Sequence, residues 1–186
     1  MNNWGKTLPL LINIIIMTDF SLFAISPVDG RYARHTLPLS RFFSEAALIR
    51  YRVKVEVGYL EALSEIPLPQ LKTMPDKVIL MLKEILKDFD EQDVARVKEI
   101  EAGINHDVKA VEYFVKEKIE ATSPGPWSEF VHFGLTSQDI NNTALPMSVR
   151  DALDEDIVPL LEELCGMLIR LADELADVPM LARTHG

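Results

Sequence analysis

"SQDINNTALPMSVRDALDEDIVPLLEELCGMLIRLADELA", residues 137–176, decides how this chain folds. Its second half places apolar residues at 157, 160, 161, 164, 168, 171 and 175, a single stripe of helical period. Read as one helix, some 40 residues rising 1.5 Å each would reach about 60 Å. A compact domain of 186 residues does not cover such a rod. The stripe therefore calls for partner helices, from elsewhere in the chain or from other subunits. Pro146 and Pro159 are expected to bend the rod, because each removes a backbone hydrogen bond and crowds the preceding turn.

Working outward, nearly every other segment also has helical period. Residues 40–66, "SRFFSEAALIRYRVKVEVGYLEALSEI", carry apolar side chains at 42, 43, 46, 49, 53, 57, 60 and 63, with Ser40 available as N-cap. "MPDKVILMLKEILKDF" opens with Pro75 in its first turn, where the missing N–H costs nothing. "DEQDVARVKEIEAG" predicts a polar helix closed by Gly103. A further helix runs from Asp107 to about Ala121, and "SPGP" (123–126) then breaks the chain. A short helix, "WSEFVHFG", precedes the long element. Strand signals are absent apart from the early "NIIIM". The fold class expected is all-α: an N-terminal helical domain over 18–125, then the start of a long-helix bundle over 126–186.

Apolar residues make up 48% of the chain, enough for a real core. The net charge of −10 argues against nucleic acid or an anionic membrane as partner, but allows a small anion met by a local group of donors. The single cysteine, Cys165, excludes an internal disulfide and suits a reducing cytosol. "LPLLINIIIM" (8–17) imitates the apolar part of a signal peptide, yet it is too short to span a bilayer and no clear cleavage site follows. It reads either as a secretion signal or as an extension ahead of a start at Met17, the second being preferred. Residues 1–17 are set apart from the fold.

Four polar clusters sit at helix ends or in loops. In "SPVDGRY" (26–32), Arg31 and Tyr32 follow a turn. They are either a solvated surface pair or a phosphate grip. Asn105, His106 and Asp107 open the helix that follows. Asn105 can cap it and Asp107 suits its positive end, whereas His106 has no evident capping purpose. In "HFGLTSQD" (132–139), Thr136 and Asp139 have capping-box spacing. Thr136 and Ser137 also offer hydroxyls beside bare N–H groups, which suits a carboxylate. His132, between aromatics, is either a packed core residue or part of a site. "ARTHG" (182–186) ends the chain with an arginine, a hydroxyl and a histidine suited to proton transfer near neutral pH. The four histidines are scattered, none pairing with another at i+3 or i+4, so no metal site is expected.

The blocks "SPVDGRY", "NHDVKAVEYF" (105–114), "EFVHFGLTSQDINN" (129–142) and "RTHG" (183–186), in this order, resemble the adenylosuccinate lyases of the fumarase/aspartase superfamily. The resemblance runs from about Ser26 to Gly186, and covers only the N-terminal part of the family's usual length. It implies release of fumarate by β-elimination from a phosphorylated succinyl-purine nucleotide or its precursor, with no cofactor and no metal. It implies Arg31 and Tyr32 on the nucleotide, with Asn105, His106 and Asp107 lining the substrate site. Thr136 and Ser137 would take a carboxylate, and His185 would be the general acid. His106 is also assigned to catalysis, and His132 and Thr184 are placed near the site. The family's general base is a serine on a loop lying beyond this sequence. The family is a cytoplasmic homotetramer with active sites shared between subunits. The chain is thus expected to be an N-terminal portion, inactive alone. Rival readings are a superfamily lyase acting on argininosuccinate, fumarate or aspartate, and a non-catalytic helical interaction module.

Overall fold

The computed structural model describes residues 24–181. Residues 1–17, Thr184 and His185 lie outside these. The described residues form helices and turns, with no strand. In chain order they are α1 (Ala33–Thr36), α2 (Ser40–Phe43), α3 (Glu45–Glu65), α4 (Asp76–Lys87), α5 (Glu91–Ile104), α6 (Asp107–Thr122), α7 (Ser137–Ala152) and α8 (Val158–Leu175). Tight 3-10 turns at Leu37–Leu39 and Pro126–Phe130 join some of them. The second replaces the short helix expected at Trp127, since Pro126 in its first turn and Gly125 before it favour a tighter winding. None of the described helices is long and apolar enough to cross a membrane.

The N-terminal helix divides earlier than its periodicity predicts. Ser44, at ψ 165, breaks the winding and its hydroxyl accepts the Ala47 N–H. Ser44, not Ser40, is the N-cap, and the 21-residue α3 starts cleanly there. Along α3, Val53, Val57 and Leu60 face α4, α5 and α6, meeting Val78, Leu82 and Phe114 in the main core. Each such fully buried side chain contributes about 1.5–3 kcal/mol. The opposite side of α3 receives α7, whose Ile140, Ala144, Ser148 and Ala152 are buried at four-residue spacing. Ala47 and Ala144 are small enough to bring these two helices close around Tyr51.

Helix continues through Pro146, and Leu153–Ile157 then form a π-helical turn just ahead of Pro159. The wider turn accommodates the carbonyl that Pro159 would crowd. Arg41 on α2 clamps the turn, holding Asp156 at 2.6 Å and Glu155 at 3.3 Å. Beyond it α8 buries no residue, and Leu160, Leu164 and Leu168 stay 47–64% exposed.

Candidate active site

The junction between α5 and α6 departs from the sequence reading and shapes the site. Helix α5 runs past Gly103 and stops at Asn105, which takes the left-handed conformation at φ 54, ψ 41. Asparagine tolerates that region better than other residues with a side chain. Asn105 therefore ends one helix instead of capping the next. The N-cap of α6 is His106, whose Nδ1 accepts the Lys109 N–H at 3.1 Å. The histidine that looked surplus to the helix thus has a structural purpose. Accepting at Nδ1 leaves that nitrogen unprotonated, so the imidazole proton sits on Nε2.

Asp107 meets Arg52 of α3, with Nη2 and Oδ2 2.7 Å apart. Arg52 is 7% exposed at its side chain and Asp107 47%. The same guanidinium donates through Nε to Asn141 Oδ1 of α7 at 3.0 Å. Partial burial works against ionising Asp107, but the Val108 N–H and the Arg52 charge outweigh it and hold the carboxyl below the usual carboxylate range. Glu45, Leu48, Arg52 and Glu101 line a cleft of about 390 Å³ with Asn105, His106 and Asp107.

One helical turn along α3 lies Glu56, wholly buried, with Oε1 2.5 Å from His132 Nδ1. His132 has φ 63, a left-handed conformation that costs a non-glycine residue energy and gathers at functional sites. Gly134 follows at φ 72, where glycine carries no such cost. At the start of α7, Asp139 Oδ2 accepts both the N–H (2.7 Å) and the hydroxyl (2.8 Å) of Thr136. These bonds hold the Asp139 carboxyl low. The Thr136 donors are thereby spent on the cap. Among the described residues, the Ser137 hydroxyl and the N–H groups of Ser137 and Gln138 meet no acceptor. They are the donors left for an anion at this helix end.

Two polar blocks separated in sequence, 105–107 and 132–141, are thus tied to adjacent turns of one helix by Arg52 and Glu56. Arg31 and Tyr32 are not tied to either block. The Arg31 guanidinium lies over the Tyr32 ring at 5.4 Å, and Tyr32 is exposed. A larger groove of about 570 Å³ is lined largely by apolar groups of α3, α4 and α7, among them Val55, Leu86 and Met147. Of its polar lining, Lys83 is paired with Glu61 and the Tyr59 hydroxyl donates to the Phe133 carbonyl. Sequence reasoning missed Arg52, Glu56 and Asn141. The one available signal was two opposite charges four residues apart on the helix face that also carries Val53, Val57 and Leu60.

An all-helical body with imidazoles, a carboxylate and free helix N–H groups gathered at helix ends, and no nucleophile elbow or phosphate loop, suits proton-transfer chemistry on a small anion. The chain belongs to the lyase family, whose pattern matches residues 30–186. It is similar to proteins named adenylosuccinate lyase. The relative from Dictyostelium discoideum is 46% identical over 173 residues, covering 89% of this chain and 37% of the relative. The Vibrio cholerae and Escherichia coli K12 relatives are 42% and 44% identical over 168 residues, with the same coverage. The chain thus spans 37% of the length of these curated relatives.

Proposed function

We propose that this chain supplies part of the active site of an adenylosuccinate lyase, a carbon–nitrogen lyase that releases fumarate by β-elimination. Its substrates are adenylosuccinate, which leaves AMP, and the succinyl-carboxamide ribotide. The observation that carries the reading is the pair of ties from α3, Arg52 to Asp107 and Asn141, and Glu56 to His132, joining the blocks that resemble the family. The names of the relatives support the same reading.

The elimination needs a base at the succinyl carbon beside a carboxylate, an acid for the departing nitrogen, and donors for the charge that builds on the carboxylate. Ser137, with the free N–H groups opening α7, meets that carboxylate, and Thr136 shapes the turn that presents them. Asn105, His106 and Asp107 line the substrate cleft, where His106 offers its Nε2–H. Arg31 and Tyr32 hold the phosphate. His185, with Thr184 beside it, protonates the leaving nitrogen, and the base comes from a segment that follows in the family.

In this reading residues 18–125 form the N-terminal domain and 126–186 begin a central bundle. The uncovered stripe of α8 is the face taken by neighbouring helices of a cytoplasmic homotetramer. The chain is inactive by itself. Co-expression with the remaining segment of the Escherichia coli relative tests this. The expected result is fumarate release from adenylosuccinate by the complex and none by the chain alone. A complex that forms but acts only on argininosuccinate, or on neither compound, overturns the reading.

A further inference from the structure

His106 and His132 meet their surroundings through the same ring nitrogen but with opposite partners. His106 Nδ1 faces a donor, the Lys109 N–H at 3.1 Å. His132 Nδ1 faces an acceptor, the Glu56 carboxylate at 2.5 Å. A backbone amide can only donate, so the first arrangement is settled by chemistry. In the second, Glu56 has no exposed surface and its Oε2 has no partner among the described residues. A buried carboxylate with one orphaned oxygen depends on the single N–H it can reach. Burial pushes the Glu56 carboxyl up, and the His132 N–H acts against that push. Glu112 of α6 adds like charge, though Lys109 and Lys116 neutralise it, and Asp139 lies within electrostatic reach of His132. The strained backbone at His132 is what brings its ring down to Glu56 while leaving 15% of the side chain exposed.

We propose that the two histidines are held in opposite tautomers. His106 presents an Nε2–H donor, and Glu56 is the positioning residue that keeps the proton on His132 Nδ1, leaving Nε2 a bare acceptor. The two rings then read a ligand differently. The group meeting His106 must accept a hydrogen bond, as a phosphate oxygen or a ring nitrogen does. The group meeting His132 must donate one, as a ribose hydroxyl or an exocyclic amine does. This division of the ligand rests on the nucleotide reading above, whereas the tautomers do not.

Long-range proton–nitrogen spectra of the 15N-labelled chain at neutral pH separate the two forms. The expected pattern is a protonated Nε2 for His106 and a protonated Nδ1 for His132. Glu56→Gln keeps an acceptor at the same place and is expected to preserve the His132 pattern. Glu56→Leu, which replaces the carboxylate by an apolar side chain of similar size, is expected to move the proton to Nε2 without unfolding the chain. A proton on Nε2 of His132 in the unaltered chain, a doubly protonated ring, or an unchanged pattern in Glu56→Leu overturns the proposal. In the co-expressed complex, Glu56→Leu should lower kcat by roughly tenfold or more and Glu56→Gln restore most of it, as for other carboxylates that orient an imidazole. A correct nitrogen pattern in a complex without lyase activity leaves the tautomers standing and rejects the nucleotide reading alone.

Discussion

Helices α6 and α8 are nearly the same length, 16 and 18 residues, and both carry an apolar face, yet their fates differ. Helix α6 buries Val108, Ala110, Val111, Phe114, Val115 and Ile119 against its neighbours. Helix α8 buries nothing. Periodicity specifies that a face exists, while topology specifies whether anything arrives to cover it. The helix with the clearer stripe in the sequence is the one left uncovered, and the polar chemistry gathers beside the covered one.

The sharpest test of that contrast is Phe114→Ala, which removes a fully buried ring packed edge-on against Phe89 at 6.0 Å. It should cost about 3–5 kcal/mol in a denaturant titration. A loss below about 1 kcal/mol would show the α6 core to be no better packed than α8. Next in size is Arg52→Ala, which strands Asp107 and Asn141 together. An expected loss of about 2–3 kcal/mol follows from deleting a buried charged donor whose partner is partly solvated. In the double variant with Asp107→Asn, the two losses should add to less than their sum.

Smaller still is the effect of pH on the Arg52–Asp107 pair. The carboxyl of Asp107 is held low in the folded state, so it contributes stability above the ordinary aspartate value of about 3.9. That contribution disappears as pH falls through the lower folded value. The denaturation midpoints of the unaltered chain and Asp107→Asn should therefore differ at pH 6 and converge toward pH 2. A gap that widens on acidification would contradict the pairing. The smallest expected change is in Leu164→Ala combined with Leu168→Ala on α8, within about 0.5 kcal/mol for the body of the molecule. In the homotetramer proposed above, light scattering should meanwhile report weaker self-association, and a large loss of stability in the body of the molecule would mean that α8 is covered after all.

The long helix and the span of α6 were legible in the sequence to within a residue or two, because extended stripes and strong breakers such as "SPGP" act locally. The ends were less so. Ser44 and Ser40 are the same residue four places apart, and only the packing of α2 against α7 decides which one caps. His106 took the capping role expected of Asn105, and Asn105 the stop expected of Gly103, because a left-handed stop at Asn105 is a property of two helices meeting, not of either alone. The polar blocks at 105–107 and 132–139 were legible as candidates. Arg52 and Glu56 were not, since "RYRVKVE" gives Arg50, Arg52, Lys54 and Glu56 a uniform charged look. Arg52 and Glu56 are buried only because partners from α6, α7 and the loop at His132 close over them. That information is tertiary.

The π-helical turn at Leu153–Ile157 also sets an azimuth. At about 100° per residue, a regular α-helix would carry the five-residue step from Ala152 to Ile157 about 140° past one revolution. A turn closed by an i→i+5 bond spreads that step over more nearly a single revolution. The seam that α7 presses onto α3 at Ile140, Ala144, Ser148 and Ala152 is thereby handed on toward Ile157, Leu161 and Leu164 with much less swing. One irregular winding keeps the molecule's two hydrophobic tracks in phase. Deleting a single residue there would let a regular α-helix keep nearly the same aim, since four residues at about 100° also come close to one revolution, whereas inserting one would swing the leucines of α8 by about a quarter turn.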